Sequence, residues 1–437
     1  MLRFRPSLIV VLSFLLVILT GTVLLSLPFS SANGQETNFA NSLFTATSAT
    51  CVTGLVCLDT GTYFSLFGKL VILTLIQIGG LGYMTFSTFF MVLLKRKLFI
   101  TEKLIAQETL NMYSGREVVN IIKRILIIVF GFEGLGALIL SIRWLPSFGF
   151  KRAIFYGVFH SVSAFCNAGF SLFPNFSSFT AYRGDIVVNL VITTLIIFGG
   201  LGFLVISDIN QNKRFSLQSK VVLSTTLFLI FFGAISIFAI EFNNPATLGF
   251  LGNFEKILSS YFQSVTARTA GFNTLPIANM RNASILVLMG LMFVGASPGG
   301  TGGGIKTTTF TLIAATIISS LKESKNTIIF ERRIPPETVR KSFTIFFLAI
   351  SFIAIAIFSL NASENFSLKA VSFEVFSAFG TVGLSLGITP LLSDIGKIIL
   401  SFVMFVGRVG TITLLSTIST KSRTSDLKHP KEGISVG

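Results

Sequence analysis

Histidine and tryptophan are nearly missing from this chain, with two of the former and one of the latter in 437 residues, and cysteine occurs three times. With so few histidines, one of them His429 near the C-terminus, no cluster of His, Cys, Asp and Glu stands at catalytic or metal-ligand spacing, which argues against a membrane-embedded enzyme. Three cysteines make no disulfide framework, and Cys51 and Cys166 lie three residues before glycines, where a small side chain fits. Charge is scarce as well, at 12% of residues. What fills the chain is apolar: 51% hydrophobic residues, 48 of them phenylalanine, and a mean hydropathy of +0.80. That is more apolar surface than a soluble core absorbs, so the chain is read as an integral membrane protein. A span takes about 20 apolar residues, and the candidates are about 7–29, 66–94, 121–145, 184–207, 220–242, 283–320 (interrupted), 340–360 and 394–418. The first follows Arg3 and Arg5 like a secretory signal, but its run is too long and its removal would break the repeat described next.

The chain writes one short element four times, at 44–54, 159–169, 261–271 and 373–383. Each copy has an aromatic residue (Phe44, Phe159, Tyr261, Phe373), then small and hydroxyl residues, then a tetrapeptide ending in glycine. The tetrapeptides are Cys51-Val52-Thr53-Gly54, Cys166-Asn167-Ala168-Gly169, Arg268-Thr269-Ala270-Gly271 and Gly380-Thr381-Val382-Gly383. Spacing of roughly 100 to 115 residues marks an internal repeat. Too short to span and too apolar for a free loop, each element is predicted to dip into the membrane and return, which non-helical backbone does only where it lines a cavity or is buried in protein. Two spans and one re-entrant element per unit keep every unit in the same orientation. The expected fold is therefore an all-α integral membrane protein, four parallel helix–pore-loop–helix units around a central pore. The units are 1–98, 99–213, 214–325 and 326–420, with a tail over 421–437.

The net charge of +16 alternates along the chain. Basic residues gather at Lys95, Arg96 and Lys97, at Lys123 and Arg124, at Lys213 and Arg214, over 322–341 and over 421–431, in every second connection. Positive-inside bias then puts both termini in the cytoplasm of a multi-pass protein of the inner (plasma) membrane. The basic loops meet membrane lipids or a cytoplasmic regulator rather than nucleic acid.

A second glycine motif follows each copy: Gly79 to Gly82, Gly199 to Gly202, the expanded stretch 295–304, and Gly407 to Gly410. In the first and second units such glycines read as close helix packing. In the third, Gly295, Pro298, Gly299, Gly300, Gly302, Gly303 and Gly304 within ten residues cannot stay helical, and the span must break there. Gly300-Thr301 through Lys306-Thr307 nearly reads as a phosphate-binding loop, but Ile305 replaces a glycine, no strand precedes it and membrane spans flank it. Nothing in the chain reads as a nucleotide site.

Each short helix should point its C-terminal, partly negative end at the axis, and the extended tetrapeptides can offer carbonyl oxygens to a dehydrated cation. Thr381-Val382-Gly383-Leu384 comes within one residue of the Thr-Val-Gly-Tyr core of potassium-channel filters, a resemblance that implies potassium ions at the carbonyls of Gly54, Gly169, Gly271 and Gly383. Arg408, inside an apolar helix, must face the pore or bond carbonyls of 295–304. Arg268 reads as an anchor behind the loop, Glu133 and Glu374 as holders of neighbouring loops, Asp59, Asp185 and Asp394 as helix caps or cation attractors, and His160 as packing.

This conjunction of motifs, over nearly the whole chain, resembles the Trk/Ktr/HKT superfamily of potassium transporters, and most of all its KtrB-type membrane subunits. The resemblance implies potassium uptake, often sodium-stimulated, by a homodimer with one pore per protomer. It further implies a gate at 295–306 (Gly295, Pro298, Gly299, Gly300, Thr301, Gly302, Gly303, Gly304, Lys306) with Arg408, under a KtrA-like cytoplasmic nucleotide-binding ring. In plant members a serine at the first filter position goes with sodium; Gly54 favours potassium. The alternatives are a sodium-permeable or poorly selective cation transporter, or a secondary carrier. A carrier with inverted repeats needs opposed units, which the charge alternation does not give.

Overall fold

The computed structural model describes residues 6–82, 118–211 and 215–410. The predicted basic clusters at Lys95 to Lys97, at Lys213 and Arg214 and in the tail lie outside the described residues. The helices run α1 (Pro6–Ser26), α2 (Phe39–Thr50), α3 (Leu66–Leu81), α4 (Val118–Phe165), α5 (Ile186–Leu201), α6 (Phe203–Gln211), α7 (Leu217–Glu241), α8 (Asn253–Thr266), α9 (Asn282–Phe293), α10 (Thr307–Leu321), α11 (Pro336–Ser363), α12 (Leu368–Gly380) and α13 (Asp394–Val409). Two short strands, β1 (Ile328–Ile329) and β2 (Arg332–Arg333), pair antiparallel. The triplet of long helix, short helix and second helix recurs four times. In the second unit the first two members run together as α4, broken only at Gly149, whose φ of 71° no helix contains.

Among the described residues the candidate spans, of which 283–320 is expected to be interrupted, are not all single long helices. Among the described residues only Leu8–Ser26, Arg124–Phe165, Leu217–Glu241 and Pro336–Ser363 are long and apolar enough to cross a membrane alone. The second helices of the units stop at the second glycine motif. Gly82, Gly202 and Gly410 end α3, α5 and α13 at φ of 76°, 92° and 91°, values that glycine adopts without a Cβ penalty. In the second unit the chain resumes at once as α6, so a break expected only in the third unit occurs in the second also.

Four apolar seams close the ring. Ala49, Val52 and Ile72 of the first unit pack with Phe159, Ala168 and Phe170 of the second. Phe165 and Ile196 of the second pack with Phe262, Val265 and Phe272 of the third. Ala267 and Leu288 join Phe373 and Val382 of the fourth, and Val375 and Met404 return to Phe14, Phe44 and Leu55 of the first. Within each unit the end of the long helix is tied to the start of the second helix, in three different ways. In the first, Ser65 donates to the carbonyl of Phe29 at 2.5 Å, and in the second Arg143 pairs with Asp185 at 2.9 Å. In the third and fourth a buried carboxylate at the end of the long helix does it. Glu241 accepts from Ser284 at 2.5 Å, from Thr247 at 2.6 Å and from the amide of Arg281 at 2.9 Å; Glu364 accepts from the amide and hydroxyl of Ser393.

Candidate pore site at the glycine ring

The four short helices end where the four tetrapeptides begin, at Thr50, Phe165, Thr266 and Gly380. The first residue after the helical turn is strained in the same way in every unit: Val52, Asn167, Thr269 and Thr381 have φ of 52°, 58°, 77° and 48°. The tetrapeptides are thus not extended throughout, as expected, but kinked at their second residue. For β-branched Val52, Thr269 and Thr381 this costs on the order of 1–2 kcal/mol each and must be imposed by the surroundings. Hydroxyls within the helices hold the kinks. Ser48 and Ser377 accept from the amides of Gly54 and Gly383 at 3.1 and 3.0 Å, and Ser163 donates to the carbonyl of Phe170 at 2.9 Å.

The kink brings the four glycines into one closed layer. A Cβ at Gly54 would stand 2.9 Å from the Cα of Gly169; at Gly169, 3.2 Å from that of Gly271; at Gly271, 3.0 Å from that of Gly383; and at Gly383, 3.0 Å from that of Gly54. In every case the nearest atom is a neighbouring unit's carbonyl oxygen, in turn Ala168, Ala270, Val382 and Thr53. All four glycines have φ between 70° and 95°. Glycine is required here twice over, by backbone angle and by lack of space. On one face of the layer opens a cavity of about 280 Å³, lined by all four glycines with Asp59, Ser178, Asn273 and Ser385 among others. The negative helix ends and the carbonyl layer make this a place for a cation.

On the opposite face lies the chain between α9 and α10. It doubles back on itself, with Val294 bridging Ile305, the amide of Gly295 donating to Ile305 at 2.8 Å and that of Ala296 to Gly303 at 3.3 Å. Every predicted member of 295–306 has a definite place. Ser297 and Thr301 donate from their amides to the carbonyls of Gly200 and Gly199, at 3.0 and 3.1 Å, and the amide of Phe203 donates to Gly299 at 3.1 Å. Gly202 leaves no room beside the carbonyl of Pro298, and a Cβ on Gly300 would stand 2.7 Å from the carbonyl of Gly200. Gly302 lies against the hydroxyl of Thr269, the amide of Gly303 donates to the hydroxyl of Thr381 at 2.8 Å, and Gly304 approaches the carbonyl of Gly407. Lys306 donates from its amine to the carbonyl of Gly302, at 2.8 Å.

Arg408 reaches this loop from α13. Its guanidinium donates to the carbonyl of Thr301 and to that of Gly79 in the first unit, so of the two predicted placements the carbonyl contact is made. Arg268 is buried behind the ring, with Nη2 3.5 Å from Thr226 Oγ1. Glu133 accepts from Gln77 at 3.1 Å, and Glu374 accepts from Ser385 and, at 3.0 Å, from Thr389, steadying the loop that rims the cavity. His160 packs, bonded to the carbonyl of Tyr156 and the amide of Leu172. Of the three aspartates only Asp185 caps a helix. Ser65 and Ser393 cap α3 and α13, Asp59 standing six residues before Ser65 and Asp394 one residue inside its helix. Asp59 instead accepts from Gly61 and from Asn175 of the second unit, beside the cavity. The glycines Gly79, Gly199 and Gly407 do pack closely, each against a carbonyl of its own unit's short helix, Thr50, Phe165 and Phe379.

Comparison with known proteins agrees with this architecture. The family model TrkH, described as a cation transport protein, matches residues 4–426. The chain is 42% identical to the Ktr system potassium uptake protein B of Bacillus subtilis (strain 168), over 100% of this chain and 97% of that protein. It is 38% identical to the potassium/sodium uptake protein NtpJ of Enterococcus hirae, over 100% and 98%. Among solved structures the potassium transporter TrkH from Vibrio parahaemolyticus superposes with a TM-score of 0.73 at 19% identity, covering 93% of this chain and 84% of that one, a likeness of fold. With the family matched along almost its whole length and relatives aligned end to end, this chain belongs to the TrkH family of cation transport proteins.

Proposed function

We propose that this protein takes up potassium across the cell membrane through a pore whose selectivity filter is the glycine ring. The observation that carries the reading is the closed order of contacts, in which each filter glycine abuts the carbonyl of the residue before the next. The filter comprises Cys51 to Gly54, Cys166 to Gly169, Arg268 to Gly271 and Gly380 to Gly383, with the ion on carbonyl oxygens and the helix ends adding negative potential. The loop 295–306 is the gate. It blocks the face of the ring opposite the cavity and is held there by Arg408. The relatives named as components of a Ktr system support a regulatory partner, which we take to be a cytoplasmic nucleotide-binding ring acting on a homodimer with cytoplasmic termini.

The name of the Enterococcus hirae relative favours sodium as a second ion, either co-stimulating or conducted. Flux of rubidium, sodium and lithium into liposomes holding the purified chain, with Gly383→Asp as control, tests both readings. Rubidium-selective flux lost in the control is the expected result. Sodium flux equal to rubidium would replace the potassium reading, and flux surviving in Gly383→Asp would remove the ring from the pathway.

A further inference from the structure

The connection after α10 does more than lead to the next unit. α10 ends at Leu321, and its flank carries Ile317, Ile318 and Leu321, 50%, 52% and 80% exposed. The chain reverses at Glu323, where φ is 53°, and runs back until the hydroxyl of Thr327 stands 3.2 Å from that of Thr316. Thr316 lies five residues before the end of α10, or about 7.5 Å along its axis. The strand pair β1–β2 is therefore folded back along the Thr316 side of the helix instead of projecting away from it, and the apolar residues on the far side stay uncovered. Ile329 is buried, while Ile328 and Phe330 are 56% and 50% exposed.

The two-residue turn is Phe330-Glu331, with both φ values positive, at 46° and 62°. Turns of that geometry are the preserve of Asn and Gly. An aromatic residue held there against its backbone preference is displayed at the tip. Around it Lys322, Lys325, Arg332 and Arg333 are all exposed, against the two acids Glu323 and Glu331.

We propose that this hairpin is an anchor in the lipid headgroup layer that selects anionic phospholipid. Phe330 and Ile328 enter the acyl boundary, as do the exposed Ile317, Ile318 and Leu321 of α10, and Arg332, Arg333, Lys322 and Lys325 hold lipid phosphates. Apolar tips flanked by basic residues are the make-up of interfacial segments, and guanidinium groups bind phosphate with paired hydrogen bonds. The proposal is independent of which cation is carried.

The test uses the full chain in nanodiscs, with Trp144→Phe and Phe330→Trp so that the only indole is at the tip. Nanodiscs contain phosphatidylcholine and phosphatidylglycerol, with one or the other brominated near the headgroup. The expected result is blue-shifted emission, quenched at equal mole fraction more strongly by brominated phosphatidylglycerol. One basic contact is worth roughly fivefold in relative lipid affinity, so Arg332→Gln with Arg333→Gln should lower that preference by roughly 25-fold, leaving what Lys322 and Lys325 supply, while depth quenching persists. Emission typical of indole in water, unquenched by either lipid, would overturn the proposal and favour a protein as the hairpin's partner. Equal quenching by both lipids would overturn the anionic selection. Should Trp144→Phe fail to fold, a bimane label on Phe330→Cys, read with nitroxide lipids of the same two headgroups, gives the same decision, since Cys51, Cys57 and Cys166 are all buried.

Discussion

Replacing Gly383 by alanine tests the ring at its tightest joint. The new Cβ would stand 3.0 Å from both the Cα and the carbonyl carbon of Gly54, and nearer still to the carbonyl oxygen of Thr53. It would also sit on a residue with φ of 95°, which costs an L side chain on the order of 1–2 kcal/mol. Overpacking against backbone adds roughly 1–3 kcal/mol, so about 2–5 kcal/mol of strain is concentrated on one carbonyl layer. If about 1.4 kcal/mol of this falls on the ion-bound ring, flux drops about tenfold. Gly169→Ala should be milder, since its Cβ meets the carbonyl of Ala270 at 2.7 Å and its φ is 70°. Gly290→Ala is the control: it is helical, with open space around it, and gains roughly up to 1 kcal/mol in helix propensity. The assay is rubidium uptake into liposomes, with size-exclusion profiles and melting temperatures for the same preparations. Wild-type flux and rubidium-over-sodium ratio in Gly383→Ala, in a protein shown to be folded, would refute the assignment of the ring.

Three further outcomes are expected. Arg408→Ala removes two charge-assisted hydrogen bonds to the loop and to Gly79, each worth roughly 1.5–3 kcal/mol, and should raise basal flux at least about tenfold in the absence of any partner. An unchanged or lower basal rate would contradict the gate. Asp185→Ala should destabilise by about 1 kcal/mol through loss of a cap, while Asp394→Ala, one residue inside the helix start, should leave thermal melting in detergent nearly unmoved. Glu241→Ala strands several buried donors and should cost at least about 2 kcal/mol. Melting within experimental error of the parent would show that this carboxylate holds nothing together.

The positions of the ring glycines were legible because a fourfold repeat makes each copy evidence for the others, and because Ser48, Ser163 and Ser377 recur at one offset. The left-handed kink was not, since Val52 and Thr381 have local preferences that oppose it; only the packing of neighbouring units imposes it. The helix ends at Gly82 and Gly202 leave a signal that also fits another reading. They align with the obvious break of the third unit, yet an isolated glycine in an apolar run fits close packing equally well, and Gly79, Gly199 and Gly407 do pack. The caps were misjudged at Asp59 and Asp394 because the serines Ser65 and Ser393 beside the helix starts are better placed. Glu241 and Glu364 went unread. A lone acid at the outer end of a span reveals its role only once the start of the next helix is folded against it.

The bonds that hold the loop below the ring are of two kinds, divided by side. Toward the second unit they are mainly main chain to main chain, from Ser297 and Thr301 to Gly200 and Gly199 and from Phe203 to Gly299. Toward the fourth they rest mainly on side chains, the guanidinium of Arg408 and the hydroxyl of Thr381, with one long main-chain bond from Gly304 to Gly407 at 3.4 Å. In the gating role proposed for this loop, the first side would serve as a hinge and the second as a latch: a stimulus that reorients α13 would release the free edge while the other stays attached, so the loop would swing in one direction and return to the same seat without unfolding.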